Sequence, residues 1–186
     1  MANQSSTGFG LRPLRKVGQN DDNAGLSEWK KASGSAAINH HELVQLLSTG
    51  YVLSAAAGGP SLLGSLNGSF YTAPTTLKPT WSNYAPSVVA SDHTCLINDD
   101  PYQMYEMMTA LTNYTNPAAA GATADIVATA GSGAPNYISG FTLGTQATAA
   151  DVQMKVIGLT RDTLSQDVSV AGSVWRCMVN EHILGS

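Results

Sequence analysis

The chain is short of charge. Asp, Glu, Lys and Arg make up 12% of its 186 residues, roughly half the usual share of a globular domain. The net charge is −4, so the surface lacks the basic field that holds nucleic acid by its phosphates. Cysteine is nearly absent. Cys95 and Cys177 are the two present, and without a C-x-x-C pair a thioredoxin-type redox site is excluded. Each sits in an apolar, strand-like run, which reads as a buried free thiol, with a disulfide between them as the alternative. No run nears the ~18 apolar residues of a membrane-spanning helix. The opening Met1-Ala2-Asn3-Gln4-Ser5-Ser6-Thr7 has neither the charged start nor the apolar core of a signal peptide, so synthesis in a cytoplasm is the expectation.

Catalytic signatures are missing too. There is no G-x-S-x-G elbow, no phosphate loop of the G-x-x-x-x-G-K-S/T type, and no G-x-G-x-x-G after a strand. Gly8-Phe9-Gly10 precedes Pro13 with no strand before it, and reads as a flexible hinge. Zinc would need three or four converging ligands. His40, His93, His182 and Cys177 have no diagnostic spacing, so no metal and no cofactor is expected. Asp99-Asp100-Pro101 reads as a turn, not a calcium loop, because further oxygen ligands at fixed offsets are missing. Asp99 with Glu106 is the one acid–base pairing to weigh, and the turn between them spoils its geometry. No enzymatic activity is expected.

What is present is a supply of short, half-apolar runs between turn residues. The hydrophobic share is 43%, enough for one domain with a core. Ser48-Thr49-Gly50 divides His41–Leu47 from Tyr51–Ala55, a hairpin pattern. Leu62–Tyr71 reads as a strand bent at its glycines. His93–Asn98, Tyr102–Met107, Ala124–Ala128 and Tyr137–Leu143 add further extended runs, with Pro101–Leu111 as the one stretch that also fits a helix. Val152, Met154 and Val156 alternate with polar residues, and Trp175, Cys177 and Val179 alternate with Arg176 and Met178, the period of a half-buried strand. Many short strands between turns predict a mostly β fold, a β-barrel or β-sandwich body.

Two stretches stand apart. Residues 1–35 read as an extended N-terminal arm, since glycines punctuate them and Pro13 forbids a regular helix. Arg12, Arg15, Lys16, Lys30 and Lys31 give this arm a mildly basic character, whereas the body, residues 36–186, carries four basic and ten acidic residues. Residues 72–92 read as a long loop, proline-broken and anchored by Trp81 and Tyr84. Exposed aromatics of this kind also leave open a carbohydrate-binding surface.

The segment Gly8-Phe9-Gly10-Leu11-Arg12-Pro13-Leu14-Arg15-Lys16-Val17-Gly18 is the most distinctive part of the sequence. Together with Leu62-Leu63-Gly64-Ser65-Leu66-Asn67-Gly68, Ile97–Glu106 and Val179-Asn180-Glu181-His182, it resembles small virion proteins of tailed phages, especially marine podovirus-like ones. His40-His41-Glu42 departs from the Gly-Asp turn expected before the strand. The resemblance implies a capsid cement or decoration protein, bound to the outside of the head, whose partner is the major capsid protein. Self-association as a dimer or trimer stays open, as does a tail or head–tail adaptor role. On this reading Phe9, Leu11 and Leu14 fill pockets on the capsid, while Arg12, Arg15 and Lys16 pair with acidic groups there. Trp81 and Tyr84 form a second contact.

Overall fold

Alternating apolar and polar residues become strands wherever one face has something to cover. The computed structural model describes residues 3, 7–17, 26–112, 114, 118–147 and 152–185. Among them the chain forms β1 (Arg12–Lys16), β2 (Ser27–Lys31), β3 (Leu43–Leu46), β4 (Tyr51–Ser54), β5 (Leu62–Thr72) and β6 (Pro79–Ser82). It continues with β7 (Thr94–Asn98), β8 (Gln103–Met108), β9 (Thr123–Val127), β10 (Thr142–Ala147), β11 (Met154–Leu159) and β12 (Val174–Val179). No α-helix forms among the described residues. A single 3-10 turn, Thr163–Ser165, is capped by Asp162, whose side chain accepts from the Leu164 N–H. Among the described residues no helix is therefore long and apolar enough to cross a membrane.

The strands make two six-stranded sheets. The first runs β1-β8-β12-β11-β9-β10, antiparallel throughout. The second runs β3-β4-β2-β7-β5-β6, with β2 and β4 as its parallel pair. Because β3 also pairs with β5, the strands β3, β4, β2, β7 and β5 close into a ring. The length of β5 makes this possible. Its eleven residues offer Leu62–Ser65 to β3 and Ser69–Thr72 to β6.

Neighbouring residues on β3 and β5 feed two different cores. Val44 and Leu63 join Ile38, Val52, Leu66, Cys95 and Ile97 inside the ring. Leu43 and Leu62 join Tyr105, Met107, Met154, Val156, Trp175 and Cys177 between the sheets. The body is thus a sandwich-like pair of sheets, one of them barrel-like. The alternation read in the C-terminal strand is realised directly: Trp175, Cys177 and Val179 are buried, and Arg176 and Met178 are half-exposed.

The two cysteines belong to separate cores, which is why they do not pair. Burial pushes the Cys95 thiol up to about 12 and also raises that of Cys177. A thiol reacts as the thiolate and only where a reagent reaches it. Neither should therefore label with maleimide in the native protein, and both should label once urea unfolds it. Labelling at either site without unfolding would contradict the two-core packing.

Several local expectations change. Pro101–Leu111 holds strand β8, not a helix; every residue of β8 is buried, so it has no polar face to turn to water. Residues 72–92 are not one long loop, because Pro79–Ser82 returns as β6 to pair with β5. In Tyr137–Leu143 only Thr142 and Leu143 belong to a strand, β10. Residues 12–16 and 27–31 of the expected arm pair within the two sheets, β2 as an interior strand between β4 and β7. The folded body therefore begins well before residue 36. Residues 1, 2, 4–6 and 18–25 of that arm lie outside the described residues.

Candidate functional site

The N-terminal segment reaches the body through close backbone contact. Gly10 has φ +72°, and a Cβ there would collide with the His41 carbonyl oxygen. The Leu11 N–H donates to that same oxygen at 2.7 Å, and the Gly10 N–H to the Phe141 carbonyl at 3.2 Å. Glycine is needed here for approach and for a left-handed backbone. Gly8-Phe9-Gly10 is thus a docked segment and not a free hinge. Leu11 is 0% exposed, inside the core between the sheets. It anchors the segment to its own body and offers nothing to a capsid pocket.

This docking places Phe9 and Arg12 over a cleft. The Arg12 guanidinium sits 5.2 Å from the centroid of the Phe9 ring, a cation–π contact. Its Nη2 donates to Glu106 Oε2, and Thr160 Oγ1 donates to Glu106 Oε1 at 2.5 Å. Glu106 is buried, so these two donors supply what water would otherwise give its carboxylate. Phe9, Arg12, His41, Ile138, Asp162 and Ser165 line the cleft, whose volume is about 390 Å³. His41 is held down to about 4, first by burial and then by His40 and Arg12, so its ring is neutral at pH 7.

The arrangement does not assemble an acid–base pair. Glu106 is bound to Arg12 and Thr160, whereas Asp99 Oδ2 accepts from Trp29 Nε1 at 2.8 Å. Among the described residues, no three His, Cys, Asp or Glu side chains converge as metal ligands.

Arg12 to alanine should cost about 1–2 kcal/mol, measured by urea unfolding. The change leaves a buried carboxylate with one donor, and the half-exposed guanidinium keeps the loss below that of a fully buried pair. An unchanged midpoint would mean that water replaces the arginine without cost.

The remaining candidate residues divide by environment. Leu14 is half-buried, and its carbonyl accepts from Gln103 Nε2 at 3.0 Å. Lys16 Nζ meets Asp100 Oδ2 at 3.0 Å. Arg15 is partly exposed and makes no ion pair with the described residues. Tyr84 is occupied within the chain: its ring stacks on Tyr137 at 3.8 Å, and burial together with Tyr137 pushes its phenol up to about 12. Trp81 is 56% exposed. Directly opposite it on β5 stands Phe70, 46% exposed, which sequence reasoning missed. Its outward parity becomes legible only once the register of β5 is known.

Compared with protein-family models, curated proteins and solved structures, the chain matches none.

Proposed function

We propose that the protein is a capsid cement or decoration protein, docked on the exterior of the major capsid lattice. The observation that carries this reading is the edge strand β1. It pairs with β8 on one side, and no described strand covers the other. That free edge carries Arg15 and Lys16, beside exposed Val17 and Tyr102. Such an edge accepts a strand from a neighbour, with backbone hydrogen bonds giving affinity and flanking side chains giving selectivity.

Two further features support the reading. The body is a rigid, doubly layered β platform, suited to holding an edge in a fixed orientation against a shell. Of the basic residues of β1, Arg12 and Lys16 are paired with Glu106 and Asp100, so Arg15 is the charge that would draw an acidic capsid surface to this edge of an otherwise acidic chain. Phe9, Leu11 and Arg12 do not take part, since they are engaged within the chain itself. Repetition over a symmetric lattice multiplies weak single contacts into firm attachment.

The test is cosedimentation with shells assembled from the cognate major capsid protein. Saturable binding at a fixed number of copies per capsomer is expected. Binding to tails or to the portal vertex instead would move the protein to a tail or head–tail adaptor role.

A further inference from the structure

A second exposed surface lies on the opposite sheet, away from β1. The register fixes which residues share it. Trp81 on β6 faces Phe70 on β5, Phe70 faces Thr94 on β7, and Thr94 faces Lys30 on β2. Their sequence neighbours point inward: Ser69, Cys95 and Lys31 are all buried. The row is therefore outward-facing, with two aromatic residues at opposed positions at one end and a hydrogen-bonding pair at the other. Lys30 Nζ donates to Thr94 Oγ1 at 2.8 Å.

The Trp81 ring is held down. A Cβ on Gly68 would sit 2.6 Å from Trp81 Cη2 and 2.7 Å from Cζ2, so the indole lies directly over the Gly68 backbone. A side chain of any size at that position would lift it. One face of the indole is thus occupied by the sheet, leaving more than half of the residue's surface open to solvent. An aromatic ring fixed in this way is a stacking platform with little conformational entropy left to lose on binding.

The charges around the row are few and come to a slight negative excess. Lys30 is offset by Asp92, close enough to act on it electrostatically, and by Glu28, which precedes it by two positions on the same face of β2. A phosphate backbone would find one cation against two carboxylates, so nucleic acid is disfavoured. An apolar protein partner would meet Thr94, Lys30 and Asp92 at the centre of the contact, where charged residues are depleted in protein interfaces.

We infer that this face is a binding site for a neutral saccharide, one sugar ring stacking on Trp81 and Phe70 while its hydroxyls reach the Thr94–Lys30 pair. Aromatic rings receive the apolar face of the sugar, and the carboxylate, hydroxyl and ammonium groups beside them satisfy its polar rim. The inference goes beyond lattice docking through β1 and takes Trp81, which the phage resemblance places at a second capsid contact, for the sugar instead. A shell-bound protein of this shape presents a sugar-reading surface on the virion.

The experiment is a heteronuclear NMR titration of the full chain with short linear oligomers of glucose, galactose, mannose and N-acetylglucosamine. At least one should shift the Trp81 indole N–H and the amides of Gly68, Phe70 and Thr94, saturably and locally. Trp81→Ala and the milder Phe70→Thr should each weaken that binding at least about tenfold, with unfolding midpoints and shell binding close to those of the parent. No shift with any neutral oligomer at millimolar concentration would overturn the inference. So would shifts centred elsewhere, a preference for uronic acid or sulfated oligomers, or loss of shell binding in Trp81→Ala. That last result would assign the face to the capsid.

Discussion

Gly64→Ala is expected to destabilise the fold severely, seen as loss of soluble monomer or as a urea midpoint far below that of the parent. Gly64 lies on β5 opposite Val44 of β3, at the place where the ring closes. Its φ is +152°, and a Cβ would overlap the carbonyl oxygen of Asn98 at the end of β7. The obstruction is backbone, so no side chain can swing aside. Relief requires β5 to move away from β7, which strips the pairing that holds the inner core. Backbone conformations open only to glycine cost about 1–3 kcal/mol for other residues, and overpacking adds about 1–3 kcal/mol. Together these come to about 2–6 kcal/mol, a large part of the stability of an ordinary domain, about 5–15 kcal/mol. A variant that unfolds cooperatively within about 1 kcal/mol of the parent would mean that β5 does not bridge β3 and β7 as described.

Acid should destabilise the protein between pH 6.5 and 4, before most carboxylates titrate. His93 is completely buried, and neither ring nitrogen has a hydrogen-bond partner. Burial first, and Lys31 next, hold it down to about 4, while Asp92 works weakly the other way and Lys30 adds to the depression. His41 is held down to about 4 beside His40 and Arg12, and His182 is lowered by burial despite Asp99 and Asp100. The folded values lie below the unfolded value of about 6.5. Below pH 6.5 the unfolded chain takes up protons that the folded chain refuses, so stability falls as the pH drops toward 4. For His93 alone the loss is on the order of 3 kcal/mol. Glu42, whose burial raises its carboxyl, acts in the opposite sense and softens the fall. His93→Phe, which can pack against Tyr71 in the tilted arrangement His93 holds, should flatten the profile measured by urea unfolding at each pH. A profile unchanged by that substitution would remove His93 as its source.

The strands that the sequence revealed are those whose alternation is local and whose inner face is strongly apolar. β11 and β12 are of this kind, and so is the β3–β4 hairpin, joined by Ser48-Thr49-Gly50. β1 and β2 were not legible as parts of sheets. Their residues are mostly polar and half-exposed, and their partners β8 and β7 lie far along the chain. β6 was hidden by Pro79 at its start, a residue that an edge strand tolerates but that reads as a breaker.

The candidate site follows the same division. Phe9, Arg12, Arg15 and Trp81 stood out by residue type and local setting. What each of them touches did not. Glu106 is separated from Arg12 by 94 positions, and nothing in the spacing links them. Leu11 was read as a contact for a partner because its neighbours suggested an arm. Only the fold of His41 and Phe141 against Gly10 turns it into a core residue. Removing residues 1–30 would therefore delete β1 and most of β2 along with any capsid contact, and would test folding and docking together.

Docking is isolated by a single charge. Arg15→Glu alters the free edge of β1 without touching the Arg12–Glu106 pair or the core. The most direct measurement is the salt-dependent affinity of this variant and of the parent for assembled capsid shells. The account predicts that the variant folds with an unchanged unfolding midpoint, binds shells at least tenfold more weakly, and loses most of the salt dependence seen in the parent. Equal affinity and equal salt dependence in the two proteins would contradict docking through β1.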